Sequence, residues 1–515
     1  MILGETRHTA GSAATLDDLF RRAGVRHHDA IALVDPPNRG EFTDGAPRTL
    51  TFAEADRAIS ALAGKLRALG LPTDALVAMQ LPNTVESLIT FLAILRAGMI
   101  AMPVPLLWRQ QEIVTTLGRV GAKAIVTAAR VGAISYADIA MRAAVDLFQI
   151  RHVCAFGCNL PDGVVPLDDI FTTEDDLTPA FPRSGVAAAH LAAVTFDLDA
   201  SGPVAIARSH VELVAGGLET FLETDSDSDM SLLSTIPVSS FAGIALTVLP
   251  WLLSGGTLRL HHSFNPDVLA AQIRELADGT IILPSATIAA IADAGLLDVN
   301  IQTVVALWRT PERLSAIKAW QGPATLIDVV CFGETGLVAA CRGANGLPIA
   351  IPYGAADSTR RPAGAPTVIQ TTRTGNGTLA LRGRMVPAHA FPATNERSPL
   401  SRLTSDPAGY VDTGYACRID SGNTIAVTEA PAGIASVGGY RFSLRALQDA
   451  VARIDGGATL TALPDALLGQ RLIGDAAMRD TMRAALDAVG VNPIVAAAFC
   501  NGDERELRGA LAGAA

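Results

Sequence analysis

The sequence predicts an α/β protein: a large N-terminal domain of stacked mixed sheets with a small barrel-like section, then a small α+β lid domain. Three observations carry this expectation. Segments with helical apolar spacing alternate with short unbroken apolar runs through the first four hundred residues, the pattern of parallel sheets covered on both faces. Capping signatures and glycines punctuate the helical segments. After about residue 365 Gly, Thr and Arg rise, and the strands read as parts of a more open sheet.

In order, Thr51-Phe52-Ala53-Glu54 is a capping box; Ile59, Leu62, Leu66 and Leu69 then form one helical stripe closed by Gly70. Strand-like LVAMQL (76–81) precedes a helix over 85–98, and MIAMPV (99–104) and AKAIVT (122–127) read as further strands. The rhythm repeats with LLSTIP (232–237), a helix about 242–253, strand TLRL (257–260), a helix about 266–277 and strand TIILP (280–284). GTLALRGRMV (377–386) alternates like a strand, and 413–427 reads as a hairpin turning at Ser421-Gly422-Asn423. A small α+β unit follows. The domain boundary is placed in the 415–435 window, giving domains 1–418 and 419–515.

A chain of 515 residues is too long for one core. The net charge of −11 argues against a nucleic-acid partner, which needs a basic face. The longest apolar stretch, 85–108, is broken by Glu86, Arg96, Gly98 and prolines, so no transmembrane segment is expected. The first twenty residues carry acidic groups and no apolar core, and the six cysteines are scattered as for reduced thiols. A cytoplasmic location is therefore expected. Asp225-Ser-Asp227-Ser-Asp229 lacks the glycine of a calcium loop, and the pairs His27-His28 and His261-His262 read as surface or core histidines.

The stretch AAVTFDLDASGPVAIARSHVEL (192–213) raises a sharper question. A β-branched strand enters a small-residue loop, and the helix beyond opens with the capping box Ser209-His210-Val211-Glu212. A loop feeding a helix N-terminus can hold a phosphate. This one has a single glycine, Gly202, no lysine, and two aspartates, Asp197 and Asp199. Read from the residues alone, it is an ordinary strand-to-helix connection.

The ordered series of segments nevertheless resembles the adenylate-forming superfamily of acyl-CoA synthetases, peptide-synthetase adenylation domains and luciferases. The segments are 50–71, 77–113, 121–127, 235–260, 264–273, 282–291, 377–386, 410–422, 438–451 and 463–474, nearly the whole chain. The resemblance implies activation of a small carboxylic acid, fatty acids among them, with ATP and Mg²⁺ to an acyl-adenylate. Transfer to the thiol of CoA or an acyl carrier protein follows, with rotation of the small domain. Attack of a carboxylate on a phosphate pairs two anions, so cations and dipoles must neutralise the developing charge.

Carried over residue by residue, the family's motifs are altered here. Its glycine-, hydroxyl- and lysine-bearing phosphate loop falls on residues 197–205, where Ser201 and Gly202 remain and the lysine is absent. Asp197 and Asp199 would repel a pyrophosphate by about 1–4 kcal/mol per close pair. The aromatic-Gly-x-Thr-Glu segment reads Phe332-Gly333-Glu334-Thr335-Gly336. Without a gap, Thr335 keeps the hydroxyl and Gly336 replaces the metal-binding Glu; with a gap, Glu334 is that Glu. Phe332 has the ring to stack on an adenine. The ribose-binding aspartate becomes Tyr415, whose phenol cannot grip two hydroxyls. No lysine follows Lys318, and Arg505 and Arg508 stand near the place of the family's C-terminal lysine. The implied sites are thus nucleotide contacts at Ser201, Gly202, Phe332, Gly333, Thr335 and Tyr415, and catalytic or metal roles at Glu334 or Thr335. An acyl pocket is implied at Ser240, Phe241, Gly243 and Trp308. Two functions are carried forward: an acyl-CoA synthetase-like protein with impaired adenylation, and a non-catalytic acyl- or nucleotide-binding scaffold.

Overall fold

The computed structural model describes residues 14–173, 177–199, 202–224, 229–276, 278–297, 301–316, 319–355, 368–392, 401–403, 405–465 and 467–500. Ser201, Asp225, Asp227, Lys318, Arg505 and Arg508 lie outside them.

Two large mixed sheets form the body. The first has eight strands in the order 336–341, 325–332, 301–308, 279–284, 231–234, 257–260, 31–34, 49–51. It is parallel inside and antiparallel at both edges. The second has nine strands in the order 401–402, 389–390, 202–209, 191–199, 100–103, 76–80, 124–128, 152–156, 165–166. Helix Phe52–Ala68 starts at the expected capping box, with Thr51 and Glu54 exchanging hydrogen bonds. Helix Val85–Arg96 is buried along its whole length, as expected of a helix apolar on all sides. Its charged ends are paired. Arg96 donates to Asp17 at 2.8 Å and Ser60 at 2.8 Å, and Glu86 meets Arg39 and Arg48. Asn83 ties the sheets together by donating to the carbonyls of Ser234 at 3.1 Å and His261 at 3.2 Å.

The third section is a six-stranded sheet whose edge strands, 351–352 and 354–355, are separated in the chain only by Tyr353. A sheet whose two edges are neighbours in sequence must curl, which is the barrel-like section. The strand order is open rather than closed. Strand 424–429 still pairs with 411–420 in this sheet. The four-stranded sheet of the small lobe begins only at Ile434, past the expected boundary at 418/419 but inside the 415–435 window. That sheet and the helices Leu444–Ile454, Arg479–Val489 and Pro493–Ala497 share their own hydrophobic core, which Leu107 of the large lobe also enters. Among the described residues no helix is long and apolar enough to cross a membrane.

The stretch 192–213 departs from the sequence reading in one respect. Residues 202–209 form a strand that pairs antiparallel with 191–199, from Leu191↔Ser209 to Asp199↔Gly202. The segment is a hairpin, and helix His210–Phe221 starts only after its second strand, at the predicted Ser209–Glu212 box. The connection at Asp197 therefore does not feed a helix N-terminus.

Candidate active-site cleft

A cavity of about 1820 Å³ lies where the two lobes meet. Its large-lobe lining is mainly apolar, with Ile236, Ala242, Ile288, Leu307, Trp308 and Leu326, and also carries His261, Arg309, Arg313 and Arg342. The small lobe contributes Tyr440, Arg441, Phe442 and Leu447. Clefts of this kind at domain junctions are the usual place for small ligands. Two further contacts hold the small lobe here. The Asn492 N–H donates to Glu112 at 2.8 Å, and the Gln111 N–H to the Gly490 carbonyl at 3.2 Å.

Among the nucleotide residues expected from the sequence, Gly202, Gly333 and Tyr415 line the cleft, together with Glu334. Phe332 does not; its ring is fully buried and meets the Tyr415 ring edge-on at 5.7 Å. Thr335 closes a turn by donating its N–H to the Phe332 carbonyl at 3.1 Å. Burial raises the Tyr415 phenol above its ordinary pKa, so it stays neutral. Thr413, two residues before it, donates its hydroxyl to the Leu379 carbonyl at 2.7 Å.

Asp197 is not left facing open space. Its carboxylate meets the Arg441 guanidinium of the small lobe and accepts the Glu334 N–H at 2.7 Å and the Leu198 N–H at 2.7 Å. Burial alone would lower the Arg441 pKa, but Asp197, together with Tyr415, Cys331 and Glu334, offsets it and the pKa rises. Gly333 makes this contact possible. Its φ is +57°, and a Cβ there would collide with both Asp197 and Arg441.

Glu334 is buried at the edge of the cleft. Its carboxylate accepts the Phe241 N–H at 2.8 Å, and its carbonyl accepts from Arg208. Burial raises its pKa, against the pull of the Arg208 guanidinium. Burial likewise lowers the pKa of Arg208, which lies 3.9 Å over the Phe241 ring. Cys331 beside it is pushed up to about 12 by burial and stays a thiol.

Of the acyl-pocket residues, Ser240 and Trp308 line the cavity. Ser240 accepts from Arg309 at 3.0 Å. Trp308 donates its indole N–H to Asp328 at 2.7 Å, and Asp328 in turn is held by two Arg342 contacts at 2.7 and 2.9 Å. Phe241 and Gly243 are structural. The Phe241 ring packs against Gly216, and only glycine at 243 lets the chain pass the Pro237 carbonyl. His210 is also structural: its Nδ1 accepts the Leu16 N–H at 3.2 Å. Sequence reasoning missed Arg208, Arg309 and Arg441. Arg441 lies 244 residues from Asp197 in the chain, so no local signal joined them.

Among the described residues no group of three or more His, Cys, Asp or Glu is placed to hold a metal ion, and no lysine lines the cleft. At this end of the cleft an ATP–Mg²⁺ would meet the Asp197–Arg441 pair and the buried Glu334 carboxylate, one of whose oxygens accepts a backbone N–H.

The sequence model of AMP-binding enzymes matches residues 20–196. The chain is 24% identical to the medium-chain fatty-acid–CoA ligase of Escherichia coli over 264 residues, 51% of this chain and 44% of the ligase. It is 30% identical to triostin synthetase I of Streptomyces triostinicus over 275 residues, 52% of this chain and 48% of the synthetase. The chain thus spans less than half the length of these curated relatives. Its fold matches the amide bond synthetase McbA of Marinactinospora thermotolerans with a TM-score of 0.69 at 18% identity, over 93% of this chain and 94% of that one. Two stacked mixed sheets, a curled third sheet and a small α+β lobe over the cleft give the chain the fold of this amide bond synthetase, and its residues 20–196 match the model of AMP-binding enzymes.

Proposed function

We propose that the chain binds an apolar carboxylic acid, or its acyl group, in the cleft, and that its capacity to activate that acid with ATP is impaired. The observation that carries this reading is the Arg441–Asp197 pair across the lobe junction, with the Gly333 backbone against both groups. The protein's own carboxylate and guanidinium take up the polar end of the cleft, while the apolar wall from Ile236 to Leu326 stays open to the cavity. Lost preorganised contacts of this kind typically cost about 3–4 kcal/mol of transition-state stabilisation each. The binding end needs only apolar area and shape. The likeness to a fatty-acid–CoA ligase suggests a fatty or other apolar acid, and a thiol carrier such as CoA or a carrier protein as partner.

Thermal melting of the full chain tests this. A ligand at one hundred times its dissociation constant adds about 2.7 kcal/mol of stability. The reading expects stabilisation by fatty acids or acyl-CoA and none by ATP–Mg²⁺. Stabilisation by ATP–Mg²⁺ together with indifference to every acid would overturn it.

A further inference from the structure

We propose that the Asp197 carboxylate is a built-in occupant of an oxyanion cradle, and that this cradle takes an external phosphate or carboxylate once that side chain is removed. The donors are complete without any ligand. The Arg441 guanidinium comes from the small lobe, the Glu334 N–H reaches Oδ2 at 2.7 Å, and the Leu198 N–H reaches Oδ1 at 2.7 Å. One guanidinium with converging backbone N–H groups is the donor set that binds oxyanions. Both charged partners are largely withdrawn from water, with side-chain exposures of 13% for Arg441 and 15% for Asp197. The screening that weakens surface pairs is therefore small here.

The cradle opens on the cleft, because Asp197, Gly333, Glu334, Tyr415 and Arg441 all line it. The Glu334 carboxylate is held at the Phe241 N–H, while its backbone N–H faces Asp197. The cradle does not depend on Asp197 to keep Arg441 nearby. The small lobe is docked independently through Asn492 on Glu112 and Gly490 on Gln111. Without the carboxylate, a poorly solvated guanidinium and two backbone N–H groups would lose their acceptor, a costly state that an anion from solution relieves. Asp197 thus competes intramolecularly with any phosphate in the cleft. This inference rests on the reading above only in placing the polar end of the cleft, and it needs no acyl ligand.

The test is binding of inorganic phosphate to the full chain by calorimetry, comparing wild type, Asp197→Ala and the double variant Asp197→Ala/Arg441→Gln. Asp197→Ala is expected to bind phosphate at least about tenfold more tightly than wild type, and the double variant to lose that gain. Parallel arms with AMP and formate show which oxyanion source the cradle accepts. Equal affinity in wild type and Asp197→Ala, or an unchanged gain in the double variant, overturns the proposal. If Asp197→Ala does not fold, Asp197→Ser, whose single short hydroxyl cannot span the Arg441 guanidinium and both backbone N–H groups, must show the gain instead, and its failure to do so is equally decisive. Because the probe is phosphate alone, absence of acyl binding in the tunnel leaves this result interpretable.

Discussion

The Glu334 carboxylate accepts the Phe241 N–H at 2.8 Å, so an acid at the edge of the cleft caps the first turn of the helical segment 241–254. A carboxylate at a helix N-terminus is favourable, and here it also balances the buried Arg208. Glu334→Ala should cost about 1–3 kcal/mol of stability by leaving the buried Phe241 N–H without its acceptor, measured by chemical denaturation. Glu334→Gln, which keeps an acceptor for Phe241, should cost less. Mg²⁺ should leave the melting temperature of wild type and Glu334→Gln alike unchanged.

Trp308 is a fixed wall rather than a swinging gate, because Asp328 holds its indole and Arg342 holds Asp328. Trp308→Ala should destabilise by about 3–5 kcal/mol, as large buried aromatics do on truncation. It should also shift ligand preference toward longer or bulkier acids, read as the melting shift across a homologous series. Trp308→Phe should keep most of the wall while losing the indole bond, at about 1 kcal/mol.

Burial lowers the pKa of His210 and of His262 to about 3 each, from an ordinary 6.5. In the folded state both therefore stay neutral where the unfolded chain takes up protons. Their stabilising contribution is present above pH 6.5 and is lost as the pH falls toward 3. Each should steepen the fall by up to about 1.4 kcal/mol per pH unit. Denaturation of His262→Leu across this range should give a shallower dependence than wild type.

Glu112 links the lobes by accepting the N–H groups of Arg109 at 3.0 Å and Asn492 at 2.8 Å. Glu112→Ala should loosen the small lobe by about 1–3 kcal/mol. Limited proteolysis should then cut faster within residues 434–500, with the large lobe little changed.

What the sequence disclosed was local. The boxes Thr51–Glu54 and Ser209–Glu212 lie within one helical turn, and both formed as read. Strand 202–209 was hidden because its partner strand, not its own Ala- and Pro-containing composition, makes it a strand. The small lobe's starting point was blurred because strand 424–429 is claimed by the sheet before it. At the site, Tyr415 and Gly333 were legible from their place in an ordered series of motifs. Arg441 was not, because it meets Asp197 across 244 residues of chain. Only folding reveals that the loop's misplaced acid has a cation waiting for it.

Pyrophosphate release from ATP by the purified full chain, with Mg²⁺ and a panel of apolar acids, tests the central claim most directly. The account predicts no release above the enzyme-free rate with any acid that stabilises the protein. Release that rises with protein concentration and requires one of those acids would contradict it.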